Sequence, residues 1–230
     1  MTSCLPPSSE KPQSICLSNV VLTCTYSTLL DLPTVAWALS AEYNPAVFAA
    51  AQLRLLQPAS TALIFASGRL VITGSRSESA ALTSVYIYTR LIRQAVQVPL
   101  RITSVNIQNL VASTDVGHYI KIDELSRHLM LSTIYDASLF PGLRLKIPDP
   151  PMKALLFLRG KIVLTGAKQR SDIVRAWAII KSIVQPFLTD KPLLHVDITS
   201  AKHASKKLTI VDAEDVMLED EPGVADFQFF

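Results

Sequence analysis

The chain has 230 residues, enough for one large or two small domains, and at 49% hydrophobic it has ample material for a core. Its net charge of +3 hides a division: residues 1–189 carry 18 Lys+Arg against 10 Asp+Glu, and residues 190–230 carry 4 against 9. A basic body with an acidic appendage suits a polyanionic partner. No apolar run nears the roughly 18 residues of a bilayer span, which speaks against a membrane. No basic-then-apolar start marks a signal peptide.

In chain order, the Pro- and Ser-containing stretch 1–14 reads as a disordered leader. Cys4, Cys16 and Cys24 form no CxxC pair and suit the free thiols of a soluble intracellular protein. A first unit is expected over 15–98 and a second over 99–188. An acidic tail, largely disordered, is expected over 189–230, where Asp212 to Asp226 holds seven acids and no base. The two units are copies. Ala62–Gly74 returns 92 positions later as Ala154–Gly166, with seven positions identical and most others exchanged within a type. The same spacing relates Phe48 to Phe140, Arg54 to Lys146 and Pro58 to Pro150, while a spacing of 90 relates Asn19-Val-Val21 to Asn109-Leu-Val111. Two copies are too few for a solenoid and imply a pseudo-twofold molecule.

Within each unit, strands precede a long helix. Thr61–Phe65 and Arg69–Thr73 are short β-branched runs around Ala66-Ser67-Gly68, a hairpin signal repeated by Ala154–Phe157 and Lys161–Thr165. The period then changes. Ile173, Ala176, Trp177, Ile180, Ile183 and Val184 form a helical stripe, matched by Ala81, Ser84, Val85, Tyr88, Leu91 and Ile92. Alternation along the strands puts Leu63, Phe65, Val71 and Thr73 on one face and Ile64, Leu70 and Ile72 on the other. Both faces are apolar. One long helix per unit covers only one of them, so the second face needs a partner.

Five strings in order carry a resemblance: Ala41-Glu-Tyr-Asn-Pro45, Thr61-Ala-Leu-Ile-Phe-Ala-Ser-Gly68, Ile107-Gln-Asn-Leu-Val111, Leu139-Phe-Pro-Gly-Leu143 and Gly160-Lys-Ile-Val-Leu-Thr-Gly-Ala-Lys168. Over about Asn19 to Leu188 the chain resembles the saddle domain of the TATA-box-binding protein family, as a divergent member or related factor. The resemblance implies an α+β fold: a pseudo-twofold saddle of two tandem repeats, with a curved antiparallel sheet of about ten strands and helices on the convex back. It also implies a nuclear initiation factor that binds promoter DNA in the minor groove, bends it and nucleates pre-initiation complex assembly.

By this resemblance, Asn19, Asn109, Thr73 and Thr165 supply the few hydrogen bonds near the pseudo-dyad. Val21, Val111, Val71, Val163, Leu63 and Leu155 supply apolar contact that suits A·T pairs and excludes the guanine amino group. Phe48 with Phe65, and Phe140 with Phe157, match the family's base-step wedges, each pair 17 residues apart. Unstacking a step costs about a few kcal/mol in minor-groove architectural proteins, this family among them. Arg54, Arg69, Lys146, Lys161 and Lys168 match basic positions at the groove rim. Arg90 and Arg93 lie on the helix that in the family docks transcription factor IIA, and of the two acidic positions before Leu139-Phe140-Pro141 that transcription factor IIB reads, Asp136 keeps one and Ser138 replaces the other. The departures indicate altered partners, among them snRNA-promoter or TBP-associated factors: Ala46-Val47 replaces Lys-Arg, the first long helix keeps only two arginines, and Arg159 replaces a serine.

Other readings fare less well. His118, His128, His195 and His203 form no metal-binding spacing, and neither GxGxxG nor a phosphate loop occurs, so no enzyme, metal or cofactor is expected. The alternative from another class is an assembly scaffold with weak or partner-dependent DNA binding, its basic face open to the acidic tail. Face-to-face homodimerisation without DNA also stays open.

Overall fold

Repeat one opens with a strand, Cys16–Tyr26 (β1), followed by a short helix, Leu32–Leu39 (α1). Three strands come next, Ala50–Leu55 (β2), Ser60–Phe65 (β3) and Arg69–Ser75 (β4), then the long helix Glu78–Val96 (α2). Repeat two follows the same plan: Ile102–Asp115 (β5), Tyr119–Ile120 (β6), Ile122–His128 (α3), Thr133–Ile134 (β7), Gly142–Ile147 (β8), Met152–Phe157 (β9), Lys161–Ala167 (β10) and Arg170–Val184 (α4). A 3-10 turn over Gln185–Phe187 leads to Leu188–Thr189 (β11), which pairs with β6. These elements come from a computed structural model that describes residues 14–129 and 133–190. All but the last residue of the expected leader, and all but the first two of the expected tail, lie outside the described residues.

Local chemistry accounts for the element ends. Ser77 caps α2 by accepting the Ala80 N–H at 3.1 Å, Glu78 stands in the first turn, Arg93 in the last, and Gln97 ends the helix in the left-handed region. The β3–β4 turn needs Gly68, whose φ is +83° and where a Cβ would lie 2.4 Å from the Thr28 carbonyl oxygen. Gly160 repeats this at φ +90° against the His118 carbonyl oxygen.

The strands form one antiparallel sheet in the order β2-β3-β4-β1-β5-β10-β9-β8-β7. The repeats therefore meet at β1 and β5, and Val20 pairs with its own repeat counterpart Leu110, placing the pseudo-dyad there. Nine strands join this sheet among the described residues, where about ten were expected. The missing one survives as a single bridge, Glu42 to Gln52, located 92 positions before the β7–β8 pair Ile134 and Arg144. It does not extend because the residues at the next ladder positions are spent elsewhere: Ser40 ends α1 in the left-handed region with its N–H turned to the Trp37 carbonyl, and the Asn44 carbonyl accepts the Val47 and Phe48 amides.

The expected division of faces holds. Ala62, Ile64, Leu70, Ile72, Leu110, Ala112, Leu156 and Leu164 are fully buried beneath the helices. On α4, Ile173, Ala176, Ile180 and Val184 are buried, and Trp177 and Ile183 pack against the core half-buried. On α2 the buried stripe is Ala81, Ser84, Val85, Tyr88 and Ile92, joined by Thr89. The polar members of that stripe are satisfied. The Tyr88 hydroxyl donates toward the carbonyls of Ser60 (2.9 Å) and Leu53 (3.1 Å), and Ser60 donates to the Ser84 hydroxyl (2.9 Å). Tyr88→Phe strands these acceptors in a dry core and should lower the unfolding free energy by about 1–3 kcal/mol, read from urea denaturation. On the helix side, Glu78 and Arg170 occupy equivalent repeat positions and pair at 2.6 Å. Identical charges at those positions would repel, so the departure from exact repetition holds the two helix starts together.

Candidate nucleic-acid interface

The face opposite the helices is built around the pseudo-dyad. In the β1–β5 register Asn19 pairs with Val111 and Val21 with Asn109, so the two asparagines lie diagonally across the centre. Each is locked in the same way. Asn19 Nδ2 donates to Thr73 Oγ1 (3.1 Å) and its Oδ1 accepts the Gly74 N–H (2.8 Å). Asn109 Nδ2 donates to Thr165 Oγ1 (3.1 Å) and its Oδ1 accepts the Gly166 N–H (2.8 Å). One Nδ2 hydrogen per asparagine remains to be directed at a ligand acceptor.

Outward from the centre run apolar rows. Val71 pairs with Leu63 across β4–β3, and Val163 with Leu155 across β10–β9. Phe65 ends β3 and Phe157 ends β9. Phe48 and Phe140 come from the turns before β2 and β8, where their amides bond to Asn44 and Asp136 carbonyls, each at 2.9 Å. The rings meet edge to face, Phe48 with Phe65 at 6.2 Å and Phe140 with Phe157 at 5.9 Å between centroids. Phe48 is half exposed. Gly142 makes room for the second pair, since a Cβ there would lie 2.6 Å from the Phe140 ring and 3.0 Å from Phe157. Such edge-to-face pairs hold their geometry before any ligand arrives.

Alternation puts Arg54 and Lys146 on the outer part of this face, with Arg69 and Lys161 at the starts of β4 and β10 in line with Val71 and Val163. Lys168 lies just past the end of β10. The face therefore gathers the expected hydrogen-bonding, apolar, aromatic and strand-borne basic residues. The expected partner-binding residues lie elsewhere. Arg90 is exposed on α2, whereas Arg93 spends its Nη2 on the Leu100 carbonyl (2.9 Å), fixing the chain that leaves the helix. Leu139 is 84% exposed on the turn that carries Phe140. The Asp136 carboxylate is held below its ordinary pKa, first by the Ser138 hydroxyl and then by the Ser138 amide, so it stays charged there. Cys24 faces the helices, and burial pushes its thiol up to about 11, which leaves it unreactive.

Two cations on the open face had escaped the reading of the sequence. Arg144 pairs with Leu155 and lies 5.1 Å above the Phe140 ring, a cation–π contact, and Lys153 stands directly opposite Lys146. Their signal was present: both alternate in phase with Lys146 or Leu155, 92 positions after Gln52 and Thr61.

Two copies of one strand-and-helix unit, joined edge to edge in one sheet with the described helices on one side, define a tandem-repeat α+β protein; on the opposite face Val21, Leu63 and Val71 are part-exposed while Val111, Leu155 and Val163 are buried. The sequence model described as "Transcription factor TFIID (or TATA-binding protein, TBP)" matches residues 14–95 and 104–187. The TATA-box-binding protein of Saccharomyces cerevisiae is 42% identical over 188 residues, covering 79% of this chain and 78% of that protein. That of Dictyostelium discoideum is 43% identical over 172 residues, covering 74% and 83%. TATA box-binding protein-like 2 of Mus musculus is 41% identical over 173 residues, covering 74% of this chain and 49% of that protein. Among solved structures, Methanococcus jannaschii TBP superposes with a TM-score of 0.65 at 31% identity, covering 75% of this chain and 98% of that one. The chain belongs to the TATA-binding protein family, whose members are non-enzymatic DNA-binding transcription factors.

Proposed function

We propose that this chain is a nuclear transcription initiation factor that seats its open sheet face in the minor groove of TATA-like promoter DNA, bends it with two phenylalanine wedges and nucleates a pre-initiation complex. The observation that carries this reading is the doubled site: two locked asparagine–threonine pairs at the dyad and two preformed phenylalanine pairs at the ends. A·T pairs offer only acceptors on the groove floor, and the spare Nδ2 hydrogens of Asn19 and Asn109 match them. Val21, Val71, Val111, Val163, Leu63 and Leu155 press a dry surface on the same floor, where a guanine amino group would be buried without a partner. Arg54, Arg69, Lys146, Lys161 and Lys168 neutralise phosphates along the rim.

Partners resembling transcription factors IIA and IIB dock outside the DNA face, on α2 through Arg90 and on the turn carrying Asp136 and Leu139. A scaffold with partner-dependent DNA binding is the second reading. It is favoured by the uncharged Ala46-Val47 beside the first wedge, where Val47 is 80% exposed.

The deciding experiment is a fluorescence titration of the full chain on end-labelled TATA and G·C-rich duplexes, with end-to-end energy transfer reporting the bend. Tight, bent, TATA-selective binding is expected. Equal weak binding to both duplexes would leave the scaffold reading in its place.

A further inference from the structure

The hydrogen-bonding centre and the wedges obey the repeat, but the charge on the open face does not. On repeat one the face presents Arg54 and Arg69, with Glu42 directly opposite Gln52 at its outer edge. On repeat two the same positions hold Lys146 and Lys161, while Arg144 replaces Gln52, Lys153 replaces Thr61 and the exposed Ile134 replaces Glu42. The β9–β10 turn adds the exposed Arg159 where the β3–β4 turn has Ser67. Asp115, opposite Lys161 where Thr25 stands opposite Arg69, offsets one of these charges. Among the described strand residues of this face, repeat one thus contributes two cations, Arg54 and Arg69, and repeat two four, Arg144, Lys146, Lys153 and Lys161, with Arg159 beside them.

The geometry makes the excess useful. Lys146 and Lys153 are cross-strand partners on one row, an arrangement of like charges that is unfavourable in isolation and eased by an anion lying between them. Arg144 is held over the Phe140 ring, so its guanidinium stands at the second wedge and not at the first.

We infer that repeat two is the electrostatic anchor of the DNA complex and that repeat one grips mainly by apolar contact, so the pseudo-symmetric face holds the duplex unequally. This rests on the DNA-binding reading above. Encounter is drawn to the second half, where phosphates meet Arg144, Lys146, Lys153 and Arg159. The Phe48/Phe65 wedge then works against a rim that supplies little charge. Counterion release is accordingly concentrated at one end of the site.

The test gives repeat two the residues of repeat one, as Arg144→Gln/Lys153→Thr/Arg159→Ser in the full chain, and measures affinity for a TATA duplex from 50 to 200 mM salt. Each lost phosphate contact reduces the log–log salt slope by about 0.9. The triple variant should therefore be shallower by about 2.7, and the wild type should lose about 40-fold more affinity than the variant over that range. The reverse exchange, Gln52→Arg/Thr61→Lys/Ser67→Arg, should steepen the slope by up to the same amount. The charge-preserving set Arg144→Lys/Lys153→Arg/Arg159→Lys should restore it, which separates charge from folding. An unchanged slope in the triple variant, with wild-type binding intact, overturns the inference alone. If the wild type binds no duplex, the DNA-binding reading fails and this inference fails with it.

Discussion

Replacing Phe65 and Phe157 together with alanine is expected to abolish the bend and weaken TATA binding by roughly 30-fold to 25,000-fold, while the fold persists. Each ring stands at the end of a strand on the face opposite the helices, edge to face with the ring of its preceding turn at about 6 Å. Neither ring belongs to the fully buried core beneath the helices. Contact between an aromatic side chain and an unstacked base is worth about 1–3 kcal/mol, so losing two such contacts costs about 2–6 kcal/mol, which sets the range quoted. Without the wedges, the remaining basic and apolar contacts can still hold straight DNA weakly. Energy transfer between labelled duplex ends should therefore return to the free-DNA value even at saturating protein. A variant that still bends DNA would refute the wedge mechanism. Phe65→Leu/Phe157→Leu should fall between, keeping apolar bulk without a planar face.

Asn19→Asp/Asn109→Asp is expected to cost about 2–4 kcal/mol of DNA affinity, roughly 30-fold to 1,000-fold, with little loss of stability. Aspartate is nearly isosteric and still accepts the Gly74 and Gly166 amides, the contacts that tie each asparagine to its neighbouring strand. Thr73 and Thr165 can reverse their hydroxyls and donate to it. What disappears is the free Nδ2 hydrogen aimed at the groove floor, and two negative charges now sit at the centre of a surface that must meet acceptors and phosphates. The loss should ease as salt rises less than neutralisation of a rim cation would predict, because the pair acts at short range on the floor. Filter binding together with thermal melting separates the two effects. A variant that melts like the wild type and binds like the wild type would remove the asparagines from the interface.

Much of this protein could be read along one dimension. A translation of 92 positions exposed the repeat, a change of period from two to 3.6 separated strands from long helices, and alternation assigned Ile64, Leu70 and Ile72 to one face and Leu63, Phe65, Val71 and Thr73 to the other. The equivalence of the two phenylalanine pairs was legible for the same reason: equal spacing in both copies marks equal placement. These properties depend on local stereochemistry and on repetition, both of which a chain carries explicitly. Strand pairing is different. That Asn19 lies opposite Val111 and reaches Thr73 and Gly74 follows from a register interrupted between Leu17 and Asn19 and again between Val21 and Leu22. One residue of slip would send each side chain to the other face, and no local pattern announces where such a slip occurs. The Glu78–Arg170 pair, the reduction of a tenth strand to the Glu42–Gln52 bridge, the diversion of Arg93 to Leu100, and the placing of Arg144 over the Phe140 ring and of Lys153 opposite Lys146 were all decided in three dimensions. Each joins residues far apart in sequence or settles a competition for a single donor, and only the packed chain resolves which partner wins.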